Sequence, residues 1–462
     1  MIETRLRDVT AAVSGFPVDG IAAEAVVVHV CADSREVREG SLFIALPGEH
    51  VDGHDFAEQA MSSGAVAVVG ARPTGVPTIV VEDPLAALGR LAQFHLRRLT
   101  KTTVIALTGS VGKTTAKDLT AAVLESHDET VAPPGSFNNE LGLPLTVLSA
   151  RESTRYLVLE MGARGRGHIR HLCEIAPPDI AVELNVGSAH VGEFGDQDAV
   201  ASAKAELVEA LGDDGRAVLN ADDERVRAMA THTAAPVLWF GLDASAQIRA
   251  GSVRMDAQGH PHFALTTPAG EAPVSLKLVG EHAVPNALAA AAVGHLAGLT
   301  PSAIADSLNS SAARSPWRME ISERNDGLLV INDAYNASPE SMRAALKSLK
   351  QIAGDRRAWA VLGEMRELGE TSAAQHDAIG RLAVRLDVQR LVVVGEGARQ
   401  LHLAAALEGS WGRESMFVPD VESATALLRD ELLPGDVVLI KASRAVGLER
   451  VAAAILTEPP VS

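Results

Sequence analysis

A glycine-rich loop between an apolar strand-like segment and a helical segment carries the strongest chemical signal in the sequence. Residues 108–115 read Thr-Gly-Ser-Val-Gly-Lys-Thr-Thr and follow the apolar run VIAL. Glycines let backbone N–H groups face a phosphate, Lys113 can reach the outer phosphates, and a following hydroxyl can bind Mg²⁺. Leu107 stands where the usual phosphate loop has a further glycine, so we interpret this segment as a shortened nucleotide loop. The alternative is an ordinary strand–turn–helix junction with a solvated lysine.

Three polar residues elsewhere in the chain can complete such a site. Glu160 ends the strand-like segment YLVLE, and His190 lies in the loop after the next strand-like segment. The carboxyl ends of parallel strands meet at one edge of a sheet, so we expect both residues beside the phosphate loop. Lys204 falls within the apolar stripe of its helix, between Val200 and Leu207. The alternatives are a surface carboxylate, a structural histidine and a lysine that snorkels to solvent.

The elements that must position these residues alternate between strand and helix along most of the chain. Such alternation predicts parallel sheets that are covered by helices on both faces. We divide the chain into three α/β units, at residues 1–83, 84–313 and 314–462. Short strand-like pieces with Gly and Pro turns predict an antiparallel insert within residues 236–279.

Composition limits the class of protein. The 462 residues are 47% hydrophobic and 22% charged, and 41 basic against 59 acidic residues give a net charge of −18. This balance argues against a nucleic-acid or membrane-surface binder, although it permits a small phosphate ligand in a local positive pocket. The two cysteines, Cys31 and Cys173, cannot form a disulfide framework and favour a reducing compartment. With no recognisable leader and no apolar run of about 20 residues, we expect a monomeric cytoplasmic protein.

The motifs together resemble the Mur ligase family. TGSVGKTT, EMGA, NVGSAH and SAKAEL are similar, in order and spacing, to the central domain of these ATP-dependent ligases of bacterial cell-wall synthesis. Three further segments resemble the members that add D-alanyl-D-alanine, namely GSFNNELGLPLTVL at 135–148, INDAYNASPESMRAAL at 331–346 and LGEMRELGETSAAQH at 362–376. The resemblance implies an N-terminal UDP-sugar-binding α/β domain, a central P-loop ATPase-type parallel sheet and a C-terminal Rossmann-like domain.

The resemblance also implies roles for individual residues around ATP and Mg²⁺. Lys113, Lys204, His190 and Arg318 match catalytic positions. The nucleotide would be bound by Thr108, Gly109, Ser110, Val111, Gly112, Lys113, Thr114, Thr115, His282, Asn286, Arg318 and Asp333. Two Mg²⁺ ions would be held by Thr114 or Thr115, Glu160, His190 and Lys204, the last carbamylated by CO₂. A carbamate would turn the misplaced lysine into an anion and remove the cost of burying an ammonium group.

The substrate residues are implied in the same way. Those on the UDP side would be Ser34, Arg35 and Phe43, those near the peptide end Phe137, Asn138 and Asn139, and those near the incoming dipeptide Tyr335, Asn336 and Ser338. Arg164, after EMGA, and Glu183, in the strand before Asn185, depart from the family pattern. We expect both of these residues to lie off the reaction core.

The implied reaction is ATP-driven amide formation. The terminal carboxylate of UDP-N-acetylmuramoyl-tripeptide would attack the γ-phosphorus, and the amine of D-Ala-D-Ala would then attack the acyl phosphate, giving UDP-MurNAc-pentapeptide, ADP and phosphate. Lys113, Mg²⁺ and Arg318 would neutralise charge as the carboxylate approaches. The alternatives are another Mur-type ligase, which adds a diamino acid or glutamate, and a regulatory P-loop NTPase, which hydrolyses ATP without an acceptor.

Overall fold

The computed structural model describes residues 1–48, 51–187, 191–409 and 414–457. No helix within these ranges has both the length and the apolar character needed to cross a membrane. Three large sheets organise the chain, and each is formed by a separate stretch of sequence. The expected α/β class is confirmed; the boundaries at residues 83 and 313 stay a prediction.

The first stretch of the chain folds around a five-stranded sheet of order β2-β7-β6-β5-β4. Its pairs are parallel except for β2 with β7, and β1 with β3 forms a small separate antiparallel pair. The strands are β1 Thr4–Arg5, β2 Phe16–Val18, β3 Val26–Val27, β4 His29–Cys31, β5 Ser41–Ile44, β6 Ala65–Gly70 and β7 Thr78–Val80. The helices are α1 Leu6–Ala12, α2 Ala57–Ser62 and α3 Pro84–Leu96.

The second stretch of the chain forms a nine-stranded sheet of order β16-β15-β14-β13-β12-β11-β8-β10-β9. The strands are β8 Thr103–Thr108, β9 Thr130–Val131, β10 Tyr156–Glu160, β11 Ile180–Glu183, β12 Arg216–Asn220, β13 Val237–Gly241, β14 Ile248–Met255, β15 Pro261–Thr267 and β16 Gly270–Ser275. The helices are α4 Lys113–Glu125, α5 Gly142–Ser149, α6 His168–Ile175, α7 Val191–Phe194, α8 Gln197–Glu209, α9 Glu224–Ala228, α10 Ala283–Leu296 and α11 Pro301–Ser310. The antiparallel strands that we expected within residues 236–279 are β14 to β16. They extend the nine-stranded sheet and do not form a separate insert.

The third stretch of the chain forms a six-stranded sheet of order β17-β18-β22-β19-β20-β21, antiparallel only between β17 and β18. The strands are β17 Glu320–Glu323, β18 Leu329–Asn332, β19 Ala358–Leu362, β20 Arg390–Val394, β21 Ser415–Val418 and β22 Val437–Lys441. The helices are α12 Pro339–Ala353, α13 Ser372–Arg385, α14 Arg399–Glu408, α15 Val421–Glu431 and α16 Glu449–Leu456.

The two faces of the nine-stranded sheet bury different helices. On β8, Ile105 and Leu107 pack with α4 and α10, whereas Val104 and Ala106 pack with α3, α5, α6 and α8. Side chains alternate along a strand, and residues paired across parallel strands point to the same face. Glu160 pairs with Leu107, and Glu183 pairs with Thr108. These two glutamates therefore end neighbouring strands of β8 but point to opposite faces of the sheet.

Candidate active site

The phosphate loop lies between β8 and α4, as the sequence predicts. Gly112 has φ +83°, and a Cβ at this position would overlap the side-chain oxygen of Asn286, so both the backbone conformation and the space favour glycine. Asn185 Oδ1 accepts hydrogen bonds from the N–H groups of Ser110 and Val111, at 3.1 and 2.9 Å. The loop precedes a helix N-terminus, whose free N–H groups favour an anion. Sequence reasoning did not assign Asn185, although it stands in the NVGSAH motif.

Lys113 is the first residue of α4 and reaches back across the loop. Its Nζ donates hydrogen bonds to the carbonyl oxygens of Gly109 at 2.8 Å and Ser110 at 3.4 Å. Burial lowers the pKa of Lys113; the charge of Arg318 acts in the same direction, and that of Glu160 opposes it. A cation beside a glycine loop and a helix N-terminus is suited to hold the outer phosphates of a nucleotide.

Glu160 is buried, and both of its carboxylate oxygens accept hydrogen bonds. Its Oε2 accepts a hydrogen bond from Thr114 Oγ1 at 2.8 Å, and its Oε1 accepts from Ser136 Oγ and Asn138 Nδ2, each at 2.7 Å. The carboxylate of Glu160 is hydrogen-bonded to the hydroxyl of Thr114, the residue after the loop lysine. These oxygen atoms form a set of ligands that suits Mg²⁺, which prefers oxygen. Asn138, which we predicted at the peptide end of a substrate, contacts the carboxylate here. Ser136 is a further site residue that the sequence analysis did not single out.

Lys204 and Glu183 lie on the other face of the same sheet edge. Burial lowers the pKa of Lys204 to about 7, with the positive charge of Lys113 acting in the same direction and Glu183 opposing. Burial raises the pKa of Glu183 well above its usual range, while the charge of Lys204 acts against this rise. We expected Glu183 to lie off the reaction core; the structure places it at the end of β11, where its charge acts on Lys204. His190 lies outside the described residues.

Residues of the third sheet unit approach this edge. Arg318 lies 4.0 Å from the centroid of the Tyr335 ring and acts electrostatically on Lys113. The N–H of Gly192 on α7 donates to the carbonyl oxygen of Glu367 at 3.2 Å, which joins the segment after His190 to the LGEMRELGET segment. A cation of the third unit is thus close enough to act electrostatically on the loop lysine.

A small open cleft lies next to α4, between these two units of the chain. It is lined by Thr115, Asp118, Leu119, Leu278, Ala312, Ala313, Arg314, Ser315 and Arg318. Thr115 thus faces the cleft, whereas Thr114 bonds to Glu160. The hydroxyls of Thr114 and Thr115, which the sequence left as alternative Mg²⁺ ligands, therefore have different surroundings. Thr114 is the one that contacts the carboxylate of Glu160.

Asp333, predicted near the ATP phosphates and ribose, is paired within its own unit. Its Oδ2 lies 2.7 Å from Lys441 Nζ, and its Oδ1 accepts a hydrogen bond from the N–H of Met319 at 3.1 Å. Asp333 and Lys441 also act electrostatically on His282 at the start of α10. Asn286, one turn further along α10, touches the phosphate loop at Gly112. The predicted nucleotide residues of α10 therefore lie between the loop and the Asp333–Lys441 pair.

Several predicted substrate residues have structural partners. Phe43 is a core residue with 1% of its surface exposed, so its side chain is not available to a ligand without rearrangement. Arg35 is exposed and paired with Asp33, while Ser34 lies beside it in a single helical turn. Phe137 is 45% exposed. Three further residues make capping or backbone contacts. The side-chain Oδ1 of Asn139 accepts a hydrogen bond from the N–H of Gly142, and the carbonyl oxygen of Asn336 accepts one from Lys441 Nζ. The side chain of Ser338 caps the N-terminus of α12.

Comparison with family models matches three parts of the chain. Residues 107–294 match the Mur ligase middle domain, residues 317–444 match the Mur ligase glutamate ligase domain, and residues 26–95 match the catalytic domain of the Mur ligase family. The phosphate loop, Glu160, Lys204 and Asn286 lie in the first match, and Arg318 and Asp333 lie in the second.

Two curated relatives carry the same name. The UDP-N-acetylmuramoyl-tripeptide--D-alanyl-D-alanine ligase of Mycobacterium tuberculosis is 49% identical over 466 residues, covering 92% of this chain and 91% of that protein. The enzyme of that name from Bacillus subtilis is 33% identical, covering 99% and 100%. Among solved structures, MurF from Acinetobacter baumannii has a TM-score of 0.88 at 29% identity, with 99% of each chain covered. The MurF ligase from Thermotoga maritima, in complex with ADP, has a TM-score of 0.80 at 32% identity, covering 93% and 97%. The chain belongs to the Mur ligase family and is an ATP-dependent ligase that forms carbon–nitrogen bonds.

Proposed function

We propose that this enzyme joins D-alanyl-D-alanine to UDP-N-acetylmuramoyl-tripeptide at the expense of ATP, in the synthesis of peptidoglycan precursors. The names of its relatives, which align over nine-tenths of the chain or more, support this substrate pair. The observation that carries the chemistry is the arrangement of Lys113, Thr114 and Glu160 at one sheet edge, with Arg318 approaching from the neighbouring unit.

The first step we propose is phosphorylation of the tripeptide carboxylate. The carboxylate and the γ-phosphate repel each other, so their approach needs positive charge between them. Lys113 and Arg318 supply this charge, and the loop N–H groups orient the phosphates. Mg²⁺, bound by Thr114 and Glu160, would neutralise further phosphate charge. A carboxylate oxygen bonds to the γ-phosphorus as the bond to ADP breaks, giving an acyl phosphate.

The second step we propose is attack of the dipeptide amine on the acyl carbon. The carbon–nitrogen bond forms, the carbon–oxygen bond to phosphate breaks, and the amine loses a proton to the solvent or to a base. Tyr335 and Asn336 lie near Arg318 and Lys441, which makes the unit after residue 313 the better candidate for holding the dipeptide. The unit of residues 1–83, with Ser34 and Arg35, would hold the UDP group.

We also propose that Lys204 is carbamylated in the working enzyme. A buried lysine whose pKa is about 7 is partly an uncharged amine at neutral pH, which is the form that can add CO₂. The anionic carbamate would complement Mg²⁺, together with Glu160 and His190. We expect a monomer that works in the cytoplasm, where nucleotide-linked precursors and ATP are available.

Phosphate release from ATP tests this function. With UDP-MurNAc-tripeptide present, we expect turnover to require D-Ala-D-Ala and to yield the pentapeptide in a one-to-one ratio with phosphate, measured by mass spectrometry. Turnover with a diamino acid or glutamate in its place would indicate another Mur-type ligase. Turnover that is independent of any acceptor would indicate a regulatory NTPase, and either result would refute the proposal.

A further inference from the structure

Arg318 lies between two residues whose backbone conformation is unusual. Trp317 has φ +59° and Met319 has φ +49°, which places both in the left-handed region that favours glycine. Bulky residues are strained in this region, and such strain persists only where the surrounding structure fixes the backbone. Because strain of this kind concentrates at functional sites, the contacts that hold these two residues bear on the arginine between them.

Trp317 is held through both its ring and its backbone. The guanidinium carbon of Arg444 lies 4.3 Å from the centroid of the indole ring, which is close enough for an attraction between a cation and an aromatic ring. Arg444 is itself paired with Glu449, with its Nη1 2.5 Å from Oε1. The N–H of Trp317 donates to Glu320 Oε2, and its carbonyl oxygen accepts from the N–H of Tyr335, each at 3.1 Å. These contacts fix the left-handed conformation of Trp317.

Met319 is held from the same part of the third sheet unit. Its N–H donates to Asp333 Oδ1 at 3.1 Å, and Asp333 Oδ2 lies 2.7 Å from Lys441 Nζ. Lys441 ends β22, and Arg444 begins the helical turn that follows this strand. Segment 441–444 therefore tethers the residue on each side of Arg318.

The guanidinium group of Arg318 is the part of this arrangement that faces a ligand site. It lies 4.0 Å from the centroid of the Tyr335 ring, and Arg318 lines the cleft beside α4. Within the described ranges, its Nε is buried and has no hydrogen-bond partner. Buried donors are nearly always paired, so an unpaired donor on a residue that lines a cleft indicates that a ligand completes the site. A planar guanidinium group is suited to bind phosphate oxygens.

We propose that Trp317 and Arg444 are positioning residues for Arg318. Their stacked side chains hold the backbone at residue 317 in the conformation that directs the guanidinium group of Arg318 to the phosphates of ATP. The inference rests on the role of Arg318 in the proposed function. Because both residues act through Arg318, loss of the stacked pair weakens the nucleotide site only while the side chain of Arg318 is present.

Variants of Trp317 separate the stack from the strain. Trp317→Gly removes the ring but adopts a positive φ freely, so we expect it to be at least as stable as Trp317→Ala in urea titrations. Both variants should lose activity. We expect kcat/KM for ATP, measured by phosphate release with UDP-MurNAc-tripeptide and D-Ala-D-Ala, to fall about 10- to 100-fold, because a small displacement of a positioned group has effects of this size. Trp317→Phe keeps a ring for the cation and should stay within about threefold of the wild type.

A double-mutant cycle distinguishes positioning from a general structural effect. The cycle measures the dissociation constant of ATP by calorimetry, which needs no turnover. Trp317→Gly should weaken ATP binding in the wild type but not in Arg318→Ala. Arg444→Met removes the other member of the stacked pair and should reproduce Trp317→Gly. Arg227→Met is its matched control, because it removes an arginine that lies 5.9 Å from the centroid of the Trp239 ring in the second sheet unit, and it should keep wild-type affinity and activity.

Wild-type kcat/KM for ATP in Trp317→Gly and Arg444→Met would overturn the inference. So would an equal loss of ATP affinity from Trp317→Gly with and without the Arg318 side chain, or a loss in Trp317→Phe as large as in Trp317→Gly. If Trp317→Gly does not fold, Arg444→Met carries the same cycle.

Two outcomes separate this inference from the proposed function. Unchanged ATP affinity in Arg318→Ala would refute the role of Arg318 and the inference with it. Failure of the wild type to form the pentapeptide, with the calorimetric cycle as expected, would refute the substrate pair alone and leave the positioning of Arg318 standing.

Discussion

Glu160 and Glu183 end the two strands that flank β8, and both are buried, yet their surroundings are opposite. Glu160 accepts hydrogen bonds from Thr114, Ser136 and Asn138. Glu183 has no hydrogen-bond partner within the described part of the chain. Donors from two segments of the chain fix the position of a carboxylate, whereas a carboxyl group without donors depends on nearby charge. We propose that the first binds Mg²⁺ from solution, whereas the charge of the second acts on Lys204 of the chain itself.

The difference in hydrogen bonding between Glu160 and Glu183 also affects the stability of the fold. Hydrogen bonds to a carboxylate compensate much of its desolvation, so the three donors around Glu160 offset the cost of burying it. Within the described residues, the charge that opposes the desolvation of Glu183 is that of Lys204, which is itself buried, and buried opposite charges are weak evidence for stability. The following predictions test this contrast, beginning with the largest effect.

Glu160→Ala should cause the largest loss of activity. The change removes the carboxylate that we assign to Mg²⁺, so we expect kcat/KM for ATP to fall about a thousandfold, in the range seen when a major electrostatic contribution to phosphoryl or acyl transfer is lost. Steady-state phosphate release measures the effect. Glu206→Gln, a change at a buried glutamate that caps α6, is the control and should keep its activity. Equal activity of Glu160→Ala and wild type would contradict the assignment of this carboxylate.

Ser136→Ala and Asn138→Ala should have intermediate effects. Both side chains orient Glu160 without being assigned to the metal, and loss of such partners typically weakens metal affinity about 10- to 100-fold. We expect the Mg²⁺ concentration for half-maximal activity to rise by this factor, while kcat at saturating Mg²⁺ changes less. Ser149→Ala removes a hydroxyl that bonds to a backbone carbonyl on α5 and should leave the Mg²⁺ dependence as it is. A fall in kcat alone would argue against orientation of Glu160.

Glu183→Gln should have the smallest effect, on the pH dependence of stability. Because the pKa of Glu183 is raised in the folded protein, its favourable contribution is complete below the pKa of the unfolded chain and is lost as the pH rises through the folded value. The glutamine variant has no such loss. We expect the free energy of unfolding of the variant minus that of the wild type to increase between pH 5 and pH 8, by about 1.4 kcal/mol for each unit of raised pKa. Urea titrations at both pH values measure it; a constant difference would contradict a raised pKa.

The sequence predicts the parts of the site that depend on local pattern. The phosphate loop, the position of Glu160 at a strand end and the inward position of Lys204 all follow from spacing within one strand or helix. The face to which Glu183 points does not follow from the sequence, because the strand IAVE is buried on both faces, and a fully buried strand has no polar and apolar alternation that identifies a face. The face to which the side chain of Glu183 points follows only from the pairing of β11 with β8.

Partners that come from distant segments are also beyond the sequence. Asp333 and Lys441 are 108 residues apart and form a largely buried ion pair at the ends of the neighbouring strands β18 and β22. Lys117, four residues after the loop lysine, looks like a surface helix residue. In the structure its Nζ donates to the carbonyl oxygens of Pro133 and Gly135, at 2.6 and 3.1 Å, and so supports the segment that carries Ser136. Neither arrangement leaves a periodic signal along the chain.

The central claim is that the Lys113–Glu160 edge of the sheet transfers the γ-phosphoryl group of ATP to a carboxylate. The most direct measurement uses UDP-MurNAc-tripeptide with oxygen-18 in both oxygens of its terminal carboxylate, together with D-Ala-D-Ala and unlabelled ATP. The account predicts that each phosphate released carries one oxygen-18 atom and that the new amide carbonyl retains the other. Release of unlabelled phosphate during pentapeptide formation would contradict the acyl phosphate and, with it, the role assigned to this site.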